Sequence, residues 1–383
     1  MDERKLYYQD CHQIEFSAQV ESCEQRPKGY AVILSQTAFY PEGGGQACDL
    51  GILGEAQVLD VQEEEEAVVH LCDRPLPVGS TVEGRIDWQR RFDLMQQHTG
   101  EHIVSGIVHR RYGYANSGFH VGADVVTVDF DGTIPPEALA DIEAEANRAV
   151  WQNLQLRCWY PSPEELPNVF YRTKRPLPWP VRIVEIPGVD SCACCGVQVE
   201  HTGEVGLVKL FSCVKFHQGV RIEMACGGRA MEILNRVYDQ NRQVSQAFSA
   251  KIFETGEAAR AMNQRLADAE YRVTSLQREI FENIAVGYTG KGNVIHYQPD
   301  CPPAQLRELA DQIGQQCGGI AFVYTGEELQ KNICIMSKND DLKALGKALK
   351  ERFQARGGGK PGYFQGTLTA EKEALEAFFQ AAI

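Results

Sequence analysis

The sequence predicts an α+β protein of several domains, on the strength of three observations. Before residue 86, apolar residues recur in short alternating runs separated by turn clusters, the pattern of antiparallel strands. Between residues 86 and 226, strand-like runs alternate with helical periodicities. From Arg229 the chain turns to Ala, Glu, Gln and Arg, with Gly256 the one interruption by Pro or Gly before Gly287. A chain of 383 residues, 43% hydrophobic, can fill two or three cores. The expected units are 1–85, 86–226, 227–287 and 288–383.

In the first unit, strands are expected at 14–20, 30–34, 58–61 and 67–71, forming an antiparallel, barrel-like β domain. Turn clusters at 26–29 and 75–79 separate them, and the acidic run 63–66 reads as a solvated hairpin tip. One loop stands apart: Thr37-Ala38-Phe39-Tyr40-Pro41-Glu42-Gly43-Gly44-Gly45-Gln46. Its three glycines allow positive φ or close approach to a ligand, although a tight bend between strands needs the same residues. Without a Gly-Lys-Ser/Thr ending, it does not point to nucleotide phosphate.

Residues 89–112 carry helical spacing, with Gly113 as a stop. His98 and His102, at i and i+4, share one face of that helix. Alone the pair would suggest little. The cluster Cys192-Ala193-Cys194-Cys195-Gly196 adds thiolates, and imidazole with thiolate suits a borderline-soft tetrahedral ion such as zinc; otherwise these cysteines are small buried hydrophobes. A strand at 125–130, a helix at 135–152 and strands at 181–186, 205–210 and 220–224 complete an α/β unit around both halves of this site.

Two long helices follow. Ile233, Val237, Val244 and Phe248 form one stripe; Met262, Leu266, Ala269, Val273, Leu276 and Ile280 form a coiled-coil seam. With Thr255-Gly256 as the turn, an antiparallel helical hairpin or a dimerising arm is expected. The last unit reads as α/β: strands at 293–297, 320–324 and 333–336, helices at 303–316 and 342–354, and a final helix from Ala370. Its glycine-rich segment 356–366 includes Arg356 and Lys360, and reads either as a phosphate or sugar site or as a flexible connection.

Composition narrows the function. Thirteen cysteines, an odd number mostly scattered, argue against a disulfide framework. The absence of a long apolar run and of a signal-like start leads us to expect a cytoplasmic protein. A net charge of −14 excludes a general nucleic-acid coat but not a local basic patch.

These residues together resemble the free-standing alanyl-tRNA editing proteins of the AlaX type, in their long form with a carboxy-terminal domain. Residues 37–46 resemble the family's Thr-x-Phe-Tyr-Pro-x-Gly-Gly-Gly-Gln loop, and His98 to His102 its His-x-x-x-His. Cys194-Cys195-Gly196-Val197-Gln198-Val199, with Thr202-Gly203-Glu204-Val205-Gly206 after it, is similar to the Cys-Gly-Gly-Thr-His-Val and Thr-Gly-Glu-Ile-Gly pattern of the editing domain in alanyl-tRNA synthetases. Residues 291–383 resemble the DHHA1 domain, implied to bind tRNA or to form a homodimer together with the helices from residue 227. The resemblance implies hydrolysis of the ester that joins serine or glycine to the tRNA for alanine. No room is expected for an amino-acid-activating core.

It also implies Zn2+ held by His98, His102, Cys194 and position 198. The family has histidine at that last position, where this chain has Gln198, a poor ligand. Water, Cys192 or Cys195 then become alternatives. The implied roles are activation of water or anchoring of substrate by zinc, an oxyanion site at Gly43, Gly44 and Gly45 within the loop ending at Gln46, and contact of Thr37 with a serine hydroxyl. Two rivals stand beside this reading. One is a tRNA-binding or dimerising protein whose editing site has decayed, suggested by Gln198. The other is an inverzincin metallopeptidase, suggested by His98-Thr99-Gly100-Glu101-His102 with Glu101 as base.

Overall fold

The computed structural model describes residues 3–65, 67–173, 177–326 and 329–382. Glu66, the end of the acidic run, lies outside them. The chain divides into two compact units, Met1–Gln243 and Val244–Ile383.

The first unit begins with a closed antiparallel barrel of β1 (Glu15–Arg26), β2 (Gly29–Leu34), β3 (Gly51–Leu53), β4 (Ala56–Glu64), β5 (Ala67–Cys72) and β6 (Thr81–Ile86), in the order β1-β2-β5-β4-β3-β6. Along the first half of β1 alternate residues Phe16, Ala18 and Val20 point inward against Val32, Leu53, Val58 and Val61. Pairing of β6 with both β1 and β3 closes the barrel and leaves no free edge. Sequence periodicity misses β3 and β6, because three residues are too few to alternate and Gly84 interrupts β6. That glycine is required, since a Cβ there would lie 2.4 Å from the Phe16 ring.

Next comes α1 (Trp88–Tyr112), capped by the Asp87 carboxylate, which accepts from the Arg90 N–H, and ended by Gly113 at φ 74°. Every residue from Leu94 to Val108 is buried, so this helix is enclosed rather than amphipathic. Around it lie β7 (Asn116–Val121), β8 (Val126–Phe130), α2 (Leu139–Trp151), β9 (Arg157–Trp159), β10 (Ile183–Ile186), β11 (Asp190–Ala193), β12 (Val208–Phe216) and β13 (Gly219–Cys226). Two sheets form, β12-β13-β8-β7 and β11-β10-β9. The strand expected from residue 205 instead begins at Val208. Residues Thr202–Val205 form a 3-10 turn, in which the Glu204 carboxylate accepts from the His201 N–H.

α3 (Gly227–Phe248) and α4 (Thr255–Val286) are both present. The connection is residues 249–254, and Thr255-Gly256 opens α4 rather than forming the turn. Residues 227–243 of α3 belong to the first unit and α4 to the second, and Met262, Leu266, Val273, Leu276 and Ile280 of the predicted seam are solvent-exposed.

In the second unit α4 is followed by β14 (Gly292–Tyr297), α5 (Pro303–Cys317), β15 (Gly318–Thr325), β16 (Gln330–Met336), α6 (Lys343–Phe353), β17 (Arg356–Lys360), β18 (Tyr363–Thr369) and α7 (Lys372–Ala382). The sheet runs β14-β15-β16-β18-β17, with α5 crossing between the parallel pair β14 and β15. Leu306, Leu309 and Ile313 of α5 cover one face with Phe281 of α4; Leu349, Phe353, Leu375 and Phe379 of α6 and α7 cover the other. The glycine-rich segment is not a flexible connection: it forms the hairpin of β17 and β18, in register from Arg356↔Thr367 to Lys360↔Tyr363.

Candidate metal centre

α1 brings His98 and His102 into one buried stack, ring centroids 5.3 Å apart at 27°. The turn after β11 brings Cys194 to them, its Sγ 3.3 Å from His98 Nε2. The three donor atoms lie within 4.8 Å of one another. Tetrahedral bond lengths of about 2.0–2.3 Å separate ligand atoms by roughly 3.3–3.6 Å, so these donors fit one zinc ion.

Each imidazole is held by its other nitrogen. His98 Nδ1–H donates to Gln46 Oε1 at 2.8 Å, and His102 Nδ1–H donates to Asp190 Oδ2 at 3.0 Å. Arg172 grips Asp190 with two bonds of 2.7 Å. The Nε2 atoms are thereby left to face the thiolate, the tautomer that metal-binding histidines require. Burial opposes charge on both His102 and Cys194. At Cys194 the two imidazoles outweigh it and hold the thiol well below its ordinary pKa. At His102 the Cys194 thiolate and the Asp190 carboxylate hold the imidazole well above. Asp190 and Arg172 were not found from sequence; Asp190, two residues before Cys192, offers a weak signal, and Arg172 none.

Other expected residues fall in different places. Gln198 is buried beside the site, but its Oε1 accepts from the Thr99 hydroxyl at 2.8 Å while its Nε2 faces Cys194 Sγ at 3.8 Å. An amide donor is thus turned toward the thiolate, an orientation that suits a hydrogen bond to Cys194 rather than coordination by Gln198. Cys195 points to the glycine loop, where a Cβ on Gly44 would meet its Sγ at 2.8 Å. Cys192 groups with Asp190 and His102.

Thr37 is a barrel residue. Its hydroxyl donates to His70 Nε2 at 2.8 Å and accepts from the Phe39 N–H at 3.0 Å, and His70 Nδ1–H donates to the Val32 carbonyl. Burial pushes His70 down to about 4, so it stays neutral and accepts that proton. The expected serine contact at Thr37 is corrected to this internal network. Gly43 is likewise withdrawn as an oxyanion donor, because its N–H donates to the Gln46 carbonyl at 3.0 Å. Gly44 (φ 59°) and Gly45 (φ 82°) form the turn, and Gly44 reaches the pocket wall.

That pocket, of about 340 Å3, is lined by His98, His102, Cys194, Glu101, Asn116 and Phe119, among others. The Glu101 carboxylate accepts from the Ser105 hydroxyl and the Asn116 amide. Asn116 Oδ1 and Gln46 Nε2 are buried without a hydrogen-bond partner, polar capacity that the fold itself does not use.

Gly196 holds the turn against His98: a Cβ there would lie 2.1 Å from the imidazole Cε1. Gly196→Ala is therefore expected to displace His98 from Gln46 and to weaken zinc binding by about 10–100-fold, as loss of an orienting partner does. Chelator competition reads the change; parental zinc affinity would show that the turn yields instead of the ring.

The buried His98, His102 and Cys194 group, oriented by Gln46 and Asp190, lies in a chain two segments of which are similar to parts of tRNA synthetases. Residues 3–90 match the family model of class II (A) tRNA synthetases, and residues 181–267 match that of the threonyl and alanyl tRNA synthetase second additional domain. An alanine–tRNA ligase of Thermofilum pendens is 30% identical over 401 residues, which span 99% of this chain and 44% of that ligase. The alanyl-tRNA editing protein Aarsd1 of Mus musculus is 25% identical over 396 residues, 97% of this chain and 96% of that protein. A crystal structure of the C-Ala domain of Aquifex aeolicus alanyl-tRNA synthetase covers 23% of this chain at 23% identity and a TM-score of 0.20, a likeness too slight to define a fold. The chain is similar to part of the alanine–tRNA ligases and resembles the free-standing AlaX-type editing proteins over nearly its whole length. It spans less than half of the ligase it matches.

Proposed function

We propose that the protein hydrolyses the ester between the tRNA for alanine and a wrongly attached amino acid, chiefly serine or glycine, in the cytoplasm. The observation that carries this reading is the oriented His98, His102, Cys194 centre opening into a pocket of about 340 Å3. That size is at the small end of ligand sites, roughly 300–1,000 Å3, and suits a small aminoacyl group. Zinc bound there through His98 Nε2, His102 Nε2 and Cys194 Sγ would supply Lewis acidity at a position left open by Gln198.

The protein groups divide the remaining work. Asp190 keeps the proton on His102 Nδ1, and Gln46 does the same for His98. Gln46 Nε2, which has no partner, and the Gly44 N–H are donors for the developing oxyanion. Glu101, fixed by Ser105 and Asn116, is the acceptor for the α-ammonium group of the substrate. Phe119, tilted 33° to the His98 ring with centroids 5.1 Å apart, limits side-chain size. In the second unit Lys343, Lys347, Lys350 and Lys360 line a pocket of about 360 Å3, a local basic site for tRNA phosphates on an acidic chain. Dimerisation through residues 227–383 is compatible with the exposed stripe of α4.

The test is deacylation of Ser-tRNA(Ala) and Gly-tRNA(Ala), run beside Ala-tRNA(Ala) and a peptide substrate. Hydrolysis of the first two is expected; turnover of the peptide alone would replace this reading with the metallopeptidase, and turnover of nothing with the decayed site.

Gln198→His carries a further expected outcome. A histidine four residues after Cys194 supplies a strong donor where the amide does not, so zinc should survive chelators longer. Deacylation should fall if the open position is where water is activated. Unchanged zinc release would show that residue 198 does not reach the ion.

A further inference from the structure

A second group of mixed donors lies outside the centre already described. In the loop before β1, Cys11 and His12 turn their side chains to one point, with Cys11 Sγ 3.5 Å from His12 Nδ1. Glu200, just before the 3-10 turn Thr202–Val205, brings its Oε1 to 3.7 Å from the same nitrogen. The three ligand atoms lie within 4.8 Å of one another, as those of His98, His102 and Cys194 do. We propose that Cys11, His12 and Glu200 form a second divalent-cation site of zinc-type chemistry, one that ties the amino-terminal segment to the turn after Cys194.

Four features support it. The separations of 3.5 and 3.7 Å are close to the roughly 3.3–3.6 Å expected between ligands of one tetrahedral zinc. His12 Nε2 is engaged by Glu204 Oε2 at 2.7 Å, which leaves Nδ1 as the coordinating nitrogen, as Asp190 leaves Nε2 of His102. Glu204 is itself fixed, because its other oxygen accepts from the His201 N–H. The loop is anchored too: the Cys11 carbonyl accepts from buried Arg91, and the His12 ring lies 5.6 Å from that of Trp88.

Charge and softness select the ion. One thiolate and one carboxylate neutralise a divalent cation; burial and the Glu200, Glu204 and Asp10 carboxylates push the free Cys11 thiol up to about 12, so binding of the ion has to displace its proton. Sulfur and imidazole together favour zinc over magnesium or calcium. Three protein ligands leave the fourth position to water. A site of this kind would act as a staple: the ion binds only when residues 11–12 and 200 are together, so it stabilises the folded first unit in proportion to free metal.

Two experiments on the full-length protein decide the matter. In the first, elemental analysis after zinc loading and gel filtration compares the parent with Glu200→Gln, a half-exposed position where substitution should not impair folding. About two zinc ions per chain are expected in the parent and about one in the variant. Equal zinc content would overturn the proposal. In the second, the Cys194→Ser protein is loaded with Co2+ alone. With the first centre's thiolate gone, any thiolate-to-cobalt charge-transfer absorption must come from another cysteine, and it should vanish when Cys11→Ser is added. No such band, or a band that persists after Cys11→Ser, would reject the site even if deacylation proceeds as proposed.

Discussion

His102→Ala is expected to remove about one zinc ion per chain and to lower Ser-tRNA(Ala) deacylation by more than about 100-fold. Two losses coincide in that substitution. The ion loses one of three protein donors, with Gln198 turned the wrong way to replace it. Asp190 and Arg172 lose the imidazole they position, which leaves the carboxylate with Arg172 alone in a buried place. Asp190→Asn separates the two effects, since it keeps all three ligands and should cost only about 10–100-fold in metal affinity. Elemental analysis, chelator competition and single-turnover deacylation read the series. Parental zinc content in His102→Ala would remove the ion from this place, and full activity without zinc would show that the ion is not part of the chemistry.

The grouping of His98, His102 and Cys194 was legible because its signal is local. An i,i+4 histidine pair fixes a helix face, and a cluster of cysteines within four residues marks its partner. The supporting residues were not, since nothing in sequence joins Arg172 to Asp190 or Gln46 to His98 across 18 and 52 positions. Thr37 shows the opposite failure. A hydroxyl in a glycine-rich loop resembles a substrate contact, yet its partner is His70, buried 33 residues further on in β5. The barrel was legible from long alternating strands but not from β3 and β6, whose pairing with β1 and β4 is a tertiary property. In the second unit glycines at 357–359 suggested a loop, whereas the close approach of β18 explains Gly357 and Gly359: a Cβ on Gly359 would meet the Tyr363 carbonyl at 1.8 Å and one on Gly357 the Gln365 carbonyl at 2.3 Å, while Gly358 faces open space. The seam on α4 was real as a periodicity, but periodicity gives a stripe and does not name what covers it.

Arg91→Met is expected to lower the unfolding free energy of the first unit by about 3–5 kcal/mol, the largest stability effect of any single substitution considered. Arg91 and Asp49 are both fully buried. The guanidinium Nε lies 2.9 and 3.0 Å from the two carboxylate oxygens, and the terminal nitrogens reach the Asp49 carboxylate, the Ala38 carbonyl and the Cys11 carbonyl. Asp49 in turn accepts from the Tyr40 N–H at 2.6 Å. Taking Arg91 away strands a buried carboxylate and two backbone carbonyls, which is why the cost exceeds the net worth of the pair. Replacing both partners with apolar residues, as in Arg91→Met with Asp49→Leu, should restore part of that stability. The urea transition of the first unit measures both proteins, and a loss below about 1 kcal/mol in Arg91→Met would mean that water reaches Asp49. The same contact has a functional side. It joins α1, which carries His98 and His102, to the loop that carries Gln46, so the double variant should recover stability more fully than it recovers zinc affinity: the apolar pair fills the space but no longer fixes the register between Gln46 and His98.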